Sequence, residues 1–209
     1  VELARRLLVW AQAYGACARL LVQDAVDRSV VEQLRDVLAR AEWGDAAVHA
    51  EALAELLGHE PERLEDDYNR LFVRGVVPPY ETSHGQTADG APVPGGNPQR
   101  LADIAGFYRA FGFEARGERP DHLACLLEFV ALLCVKEAHA RLTGQGEAAA
   151  VCSDARAAFL DEHLRPWLPV FAARVAESGA HPALALLPRL VAALVDADAG
   201  AAACPAGTM

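Results

Sequence analysis

From Pro120 the chain reads PDHLACLLEFVALLCVKEAHARLTG, and between Leu123 and Val135 only Glu128 is polar. Proline is favoured at a first helical turn, so Pro120 reads as a helix start. A helix that is apolar nearly all round belongs inside a protein or inside a membrane. The uninterrupted part is far shorter than the roughly 20 residues that cross a bilayer, which excludes stable membrane insertion. The remaining course is burial by other helices, and the rest of the chain must supply them.

It does so by helical periodicity almost throughout. In the opening stretch VELARRLLVWAQAYGACARLLV, Leu3, Leu7, Trp10, Tyr14, Cys17 and Leu21 recur at steps of four and three. Arg5 and Arg6 before an apolar run also resemble an export signal, with A-C-A as a cleavage site. The stripe runs through that point to Leu21, so the segment reads as a packed first helix with its arginines exposed. Helical segments follow at VVEQLRDVLARA, at AAVHAEALAELLG and at ERLEDDYNRLFV, where Leu64, Tyr68, Leu71 and Phe72 share a face. Residues 76–96, rich in proline and glycine, read as one long loop, a length that is usually functional or disordered. Asn97 and Pro98 then supply a helix cap and first turn for Leu101, Ile104, Tyr108 and Phe111. Three more helices follow, at about 147–164, 166–177 and 181–198, the last containing Pro188, which should kink or interrupt it. With no strand-like alternation, the expected class is all-α, a single-domain helical bundle of about eight or nine helices over residues 1–209, with a flexible tail at about 199–209.

The net charge of −10 speaks against nucleic acid as a partner and favours a cationic one. Five cysteines without a CxxC pair read as buried small hydrophobes in a reducing compartment, and the cytoplasm fits. Phosphate loops, HExxH and paired-cysteine metal sites are absent from the sequence. Glu55 and His59 stand four apart, too few ligands for a metal, and no metal or cofactor is expected. In DEHLRPW (161–167), His163 and Arg165 read as cations complementing a helix end. In GERPDHL (117–123), Asp121 suits a helix first turn, whereas a protonated His122 would oppose the dipole. A neutral His122 held by Asp121 or by a ligand is the expected state. Glu128 reads as a polar edge of its helix or as a partner of Arg70.

DYNRLF (67–72), PPYETS (78–83), ADIAGFYRAFGFE (102–114), PDHLACLLEFVALL (120–133) and FLDEHLRPWLPVFA (159–172) resemble, in order and spacing, the TorD/DmsD-like chaperones of molybdenum-containing oxidoreductases. The nearest resemblance is to the chaperones of type II dimethyl sulfoxide reductase-like enzymes. It spans about 60–200 and implies a non-enzymatic, all-helical cytoplasmic protein. Such a protein binds the immature catalytic subunit of a molybdopterin oxidoreductase, including its twin-arginine signal peptide, until cofactor insertion is complete. It implies a groove near the segment before the long helix, where the motif is Pro120, Asp121 and His122, with aromatic walls from the PPY segment, Pro78, Pro79 and Tyr80. Tyr68, Phe72, Glu81, His84 and Glu118 complete the expected client-binding set, His84 standing where many members carry an aromatic residue. The long loop would also permit helix exchange, so a monomer or a domain-swapped dimer is expected. Two other readings stand beside this one: a small helical cofactor- or metal-binding enzyme using His122 and nearby carboxylates, and a structural subunit of the finished oxidoreductase.

Overall fold

A computed structural model of the chain describes residues 1–22, 26–41, 43–84 and 97–203, with the side chains of 199–203 left aside. Nine α-helices are present among these residues: α1 (Glu2–Arg19), α2 (Arg28–Ala41), α3 (Gly44–Leu56), α4 (Pro61–Tyr68), α5 (Pro98–Phe111), α6 (Leu123–Leu142), α7 (Gly146–His163), α8 (Leu168–Glu177) and α9 (Pro182–Ala203). A π turn, Asn69–Val73, extends α4, and Glu81–Ser83 form one 3₁₀ turn. No strand occurs among the described residues; Tyr80 and His122 form an isolated antiparallel bridge. The expected all-α class is the one observed.

The amphipathic stripe of α1 behaves as its spacing dictates. Leu7, Trp10, Tyr14, Cys17 and Leu21 are buried, and Arg5 and Arg6 are exposed; Leu3, at the open end of the stripe, is exposed too. This face packs on α6, which also supports α7, while α3 and α8 pack on α9. The apolar run of α6 is enclosed fully only at its start. Residues 123–127 are all buried, but Glu128, Val135 and His139 form an exposed stripe at steps of seven and four, with Leu132 half-buried between them. Glu128 is therefore the polar edge of the helix, and Arg70 pairs instead with Asp67 at 2.8 Å.

Other boundaries follow the expected chemistry. Asn97 caps α5 by accepting from the N–H groups of Gln99 and Arg100, and Gly112 ends it at φ 68°, a left-handed conformation suited to glycine. Proline in a helix interior removes a hydrogen bond, yet α9 runs on through Pro188 to Ala203. It thus continues into the stretch read as a tail, while 204–209 lie outside the described residues, as do 85–96 of the long loop. Cys17, Cys125, Cys134 and Cys152 are buried free thiols. Burial pushes Cys17 up to about 12 and Cys125 up to about 11, which leaves both protonated and unreactive at neutral pH.

Candidate functional site

The stretch 77–84, which joins α4 to the long loop, lies along residues 118–123, which lead into α6. Backbone bonds stitch the two together: Glu81 N–H donates to the Asp121 carbonyl at 3.0 Å, and Leu123 N–H to the Pro79 carbonyl at 2.8 Å. The Leu123 N–H is thereby drawn away from the Arg119 carbonyl that it would meet in a helix begun at Pro120, so α6 begins later than Pro120 suggests. His122 is the N-cap, its Nδ1 accepting from Ala124 N–H at 3.1 Å. A ring nitrogen that accepts is unprotonated, and burial pushes the His122 imidazole below its usual range against the opposing pull of Glu118 and Asp121. The expected neutral histidine is present. The partner of Nδ1 is the helix backbone and not the Asp121 side chain.

Asp121 is wholly buried. Its carboxylate accepts from Thr82 Oγ1 at 2.7 Å, Thr82 N–H at 3.2 Å, and Arg119 at 3.1 Å (Nε) and 3.0 Å (a terminal nitrogen). Arg119, half-exposed, also donates to Thr82 Oγ1 and lies over the Tyr80 ring with its guanidinium carbon 4.6 Å from the centroid. Tyr80 meets the His122 ring edge-on at 5.1 Å and donates its hydroxyl to exposed Glu118 at 3.1 Å. Tyr108 anchors the turn from behind by donating to the Pro120 carbonyl at 2.8 Å.

The ten sequence-predicted residues separate by depth. Glu118 is exposed, and Tyr80 and Pro120 are half-exposed. Pro79, Asp121 and His122 are buried directly beneath them. The other four belong to the interior. Tyr68 donates to the Leu20 carbonyl at 3.2 Å and meets Phe72 edge-on at 5.2 Å; Phe72 packs on Phe171. Glu81 pairs with Arg100 at 2.6 Å and with His163 Nδ1 at 3.1 Å. His84 stacks on Trp167, donates from Nε2 to the Pro78 carbonyl at 2.7 Å and accepts at Nδ1 from Arg174 at 3.1 Å. Burial holds its imidazole down at about 4, so it fills a neutral aromatic position in the core and is not a groove wall.

Sequence reasoning missed three partners. Arg119 and Thr82 complete the Asp121 network, and His181 repeats the His122 device at α9: its Nδ1 accepts from Ala183 N–H, while its own N–H donates to Asp67 at 2.8 Å. The acidic position in DYNRLF is explained by that contact. The signal available for Arg119 was its place two residues before a buried acid. His163, read as a helix-end residue complementing the dipole, does stand in the last turn of α7, and it is wholly buried there between Glu81 and Asp103.

Residues 23–173, well over half of the chain, match the family model described as nitrate reductase delta subunit. The chain belongs to that family. Three curated proteins within its reach carry more specific names. The dimethyl sulfide dehydrogenase assembly chaperone protein of Rhodovulum sulfidophilum is 41% identical over 100 residues, 44% of this chain and 39% of the relative. The selenate reductase assembly chaperone protein of Thauera selenatis is 41% identical over 78 residues, 36% of this chain and 39% of that one. The chlorate reductase assembly chaperone protein of Ideonella dechloratans is 36% identical over 123 residues, 54% of this chain and 58% of that one. The alignments thus span between about two fifths and three fifths of the relatives' lengths. No solved structure gives a significant match. The TorD-like resemblance is borne out by these findings, and each relative is named for assembling an enzyme, not for a reaction. Among the described residues, no helix is long and apolar enough to cross a membrane.

Proposed function

We propose that this member of the nitrate reductase delta subunit family is an assembly chaperone without catalytic activity. It binds the immature catalytic subunit of a molybdopterin oxidoreductase in the cytoplasm, through the subunit's twin-arginine signal peptide, until cofactor insertion is complete. The observation that carries the reading is that all three curated relatives are named assembly chaperones of a dehydrogenase or reductase. The site supports it: a half-exposed aromatic ring, Tyr80, lies beside the exposed carboxylate of Glu118, above a buried acid, Asp121, that is held by Thr82 and Arg119. An apolar helix docks on such an edge by burying leucine-sized side chains at about 1.5–3 kcal/mol each, before ordering costs. Paired arginines meet Glu118 and the net negative field, which quickens encounter and selects the peptide.

In this reading the contact surface is Tyr80, Glu118, Arg119 and Pro120, and Asp121 and His122 hold it from beneath. Calorimetric titration of the full chain with a peptide carrying the client's signal tests it. Tyr80→Ala combined with Glu118→Ala should weaken binding at least 10-fold with the urea midpoint little changed. A double variant that binds as tightly as the parent chain would show that the edge is not the contact.

A further inference from the structure

Beyond the chaperone reading, and independent of it, we propose that the chain binds one divalent transition-metal ion between the end of α7 and the first turns of α5. The ligands are Nε2 of His163 and the carboxylates of Glu162 and Asp103. Their ligating atoms lie within 4.8 Å of one another. His163 is wholly buried, and its Nδ1 faces the carboxylate of Glu81, which only accepts, so the Nδ1 proton is fixed there. Nε2 then points at Asp103 Oδ2 from 3.3 Å without a hydrogen bond to any described residue. A lone pair aimed at a carboxylate oxygen is a repulsive contact unless a cation lies between them.

Three features favour a metal as that cation. A carboxylate holding the far nitrogen of an imidazole is the usual way a metal-binding histidine is oriented and made more basic. Ligand bonds of about 2.0–2.2 Å at tetrahedral angles separate two ligand atoms by about 3.3–3.6 Å, the spacing found between Nε2 and Oδ2. The charges also balance: Arg100 is engaged by Glu81 and by the Glu162 carbonyl, and among the described residues no arginine or lysine pairs with the side chains of Asp103 or Glu162. Two uncompensated carboxylates and one imidazole suit zinc or a similar ion, with the exposed side of the cluster open to a water as fourth ligand.

The competing arrangement is an imidazolium bridging Glu81 and Asp103, with no metal. Chelator-treated full chain, titrated with Zn²⁺ against a chromophoric chelator at neutral pH and followed with Co²⁺ by visible absorption, separates the two. The expected result is one ion per chain and a loss of at least 100-fold in affinity in the Asp103→Asn, Glu162→Gln double variant. Both substituted side chains are exposed, so that variant keeps its fold even if His163→Gln does not. A parent chain that takes up no stoichiometric ion, or a double variant that binds as tightly as the parent, would overturn the proposal.

Discussion

Two arginine–carboxylate clusters hold this molecule together under opposite conditions. One lies among helices: Arg156 of α7 pairs with Asp198 of α9 and with Glu137 of α6 at 3.3 Å, Arg141 covers the other Glu137 oxygen at 2.7 Å, and Tyr14 of α1 donates to Asp198 at 3.0 Å. Arg156, Glu137 and Asp198 are all buried. The other cluster, Arg119–Asp121–Thr82, ties two non-helical segments, and its arginine is half in water. The first links four helices that cannot separate without exposing the core. The second ties no two helices together, so its opening should leave those helices in place.

That difference sets the order of the effects. Arg156→Ala takes the arginine from buried Asp198, leaving it the Tyr14 hydroxyl, and one of the two arginines from buried Glu137, and should cost about 3–5 kcal/mol of global stability, read from urea unfolding. Asp121→Ala removes the acceptor for Thr82, while Arg119 can turn to solvent. Its cost should be about 1–3 kcal/mol, and amide exchange should quicken first at Glu81 and Leu123, whose N–H groups cross the bridge. Equal global losses from the two substitutions, or exchange unchanged at those amides, would break the comparison.

The sequence disclosed the two clusters unequally, for a physical reason. Helices and their faces were legible because apolar spacing is local: Leu7 to Leu21 fell on one buried side, and the caps at Asn97 and Gly112 stand where their chemistry puts them. The PPYET and PDH segments were recognised as belonging to one site, and the bridge between Tyr80 and His122 joins them. What was not legible depended on distant partners. Arg156 and Asp198 are 42 positions apart, and nothing in either neighbourhood marks them as buried. The start of α6 differs from the expected one by the same cause, since the Leu123 N–H that would close the first turn of a helix begun at Pro120 donates instead to Pro79, 44 residues upstream. Depth was the other gap. Tyr68, Glu81 and His84 carry groups that suit a groove, and only their distant partners, Leu20 for Tyr68, His163 for Glu81 and Trp167 for His84, reveal that they face inward.

Acidification should probe both segments through their histidines. His84 is held at about 4 and His122 is also pushed down, each by burial, whereas a histidine in the unfolded chain titrates near 6.5. The native state therefore binds fewer protons. Stability from His84 is fully present above about pH 6.5 and is lost as pH falls from there toward 4, and His122 acts in the same direction. For His84 the slope should reach about 1.4 kcal/mol per pH unit. His84→Gln, which retains a donor for Pro78 and an acceptor for Arg174 but does not titrate, should flatten that slope in urea midpoints measured between pH 4.5 and 7.5. An unaltered slope would mean that His84 is not held neutral by its burial.

The smallest expected change in stability falls at the open end of the second cluster, where function should be most sensitive. Glu118 is exposed and, among the described residues, accepts only from Tyr80, so Glu118→Gln keeps an acceptor for the hydroxyl and should move stability by no more than about 0.5 kcal/mol. If the edge receives a peptide bearing paired arginines, the same substitution removes a charge that attracts it. Binding of the client signal should then weaken several-fold, and its salt dependence should become shallower, because less of the encounter is driven by long-range attraction. Titrations at two ionic strengths read both quantities. A Glu118→Gln chain with unchanged affinity and unchanged salt dependence would place the attraction elsewhere on the acidic surface, and would leave Tyr80 and Pro120 to contribute only apolar contact.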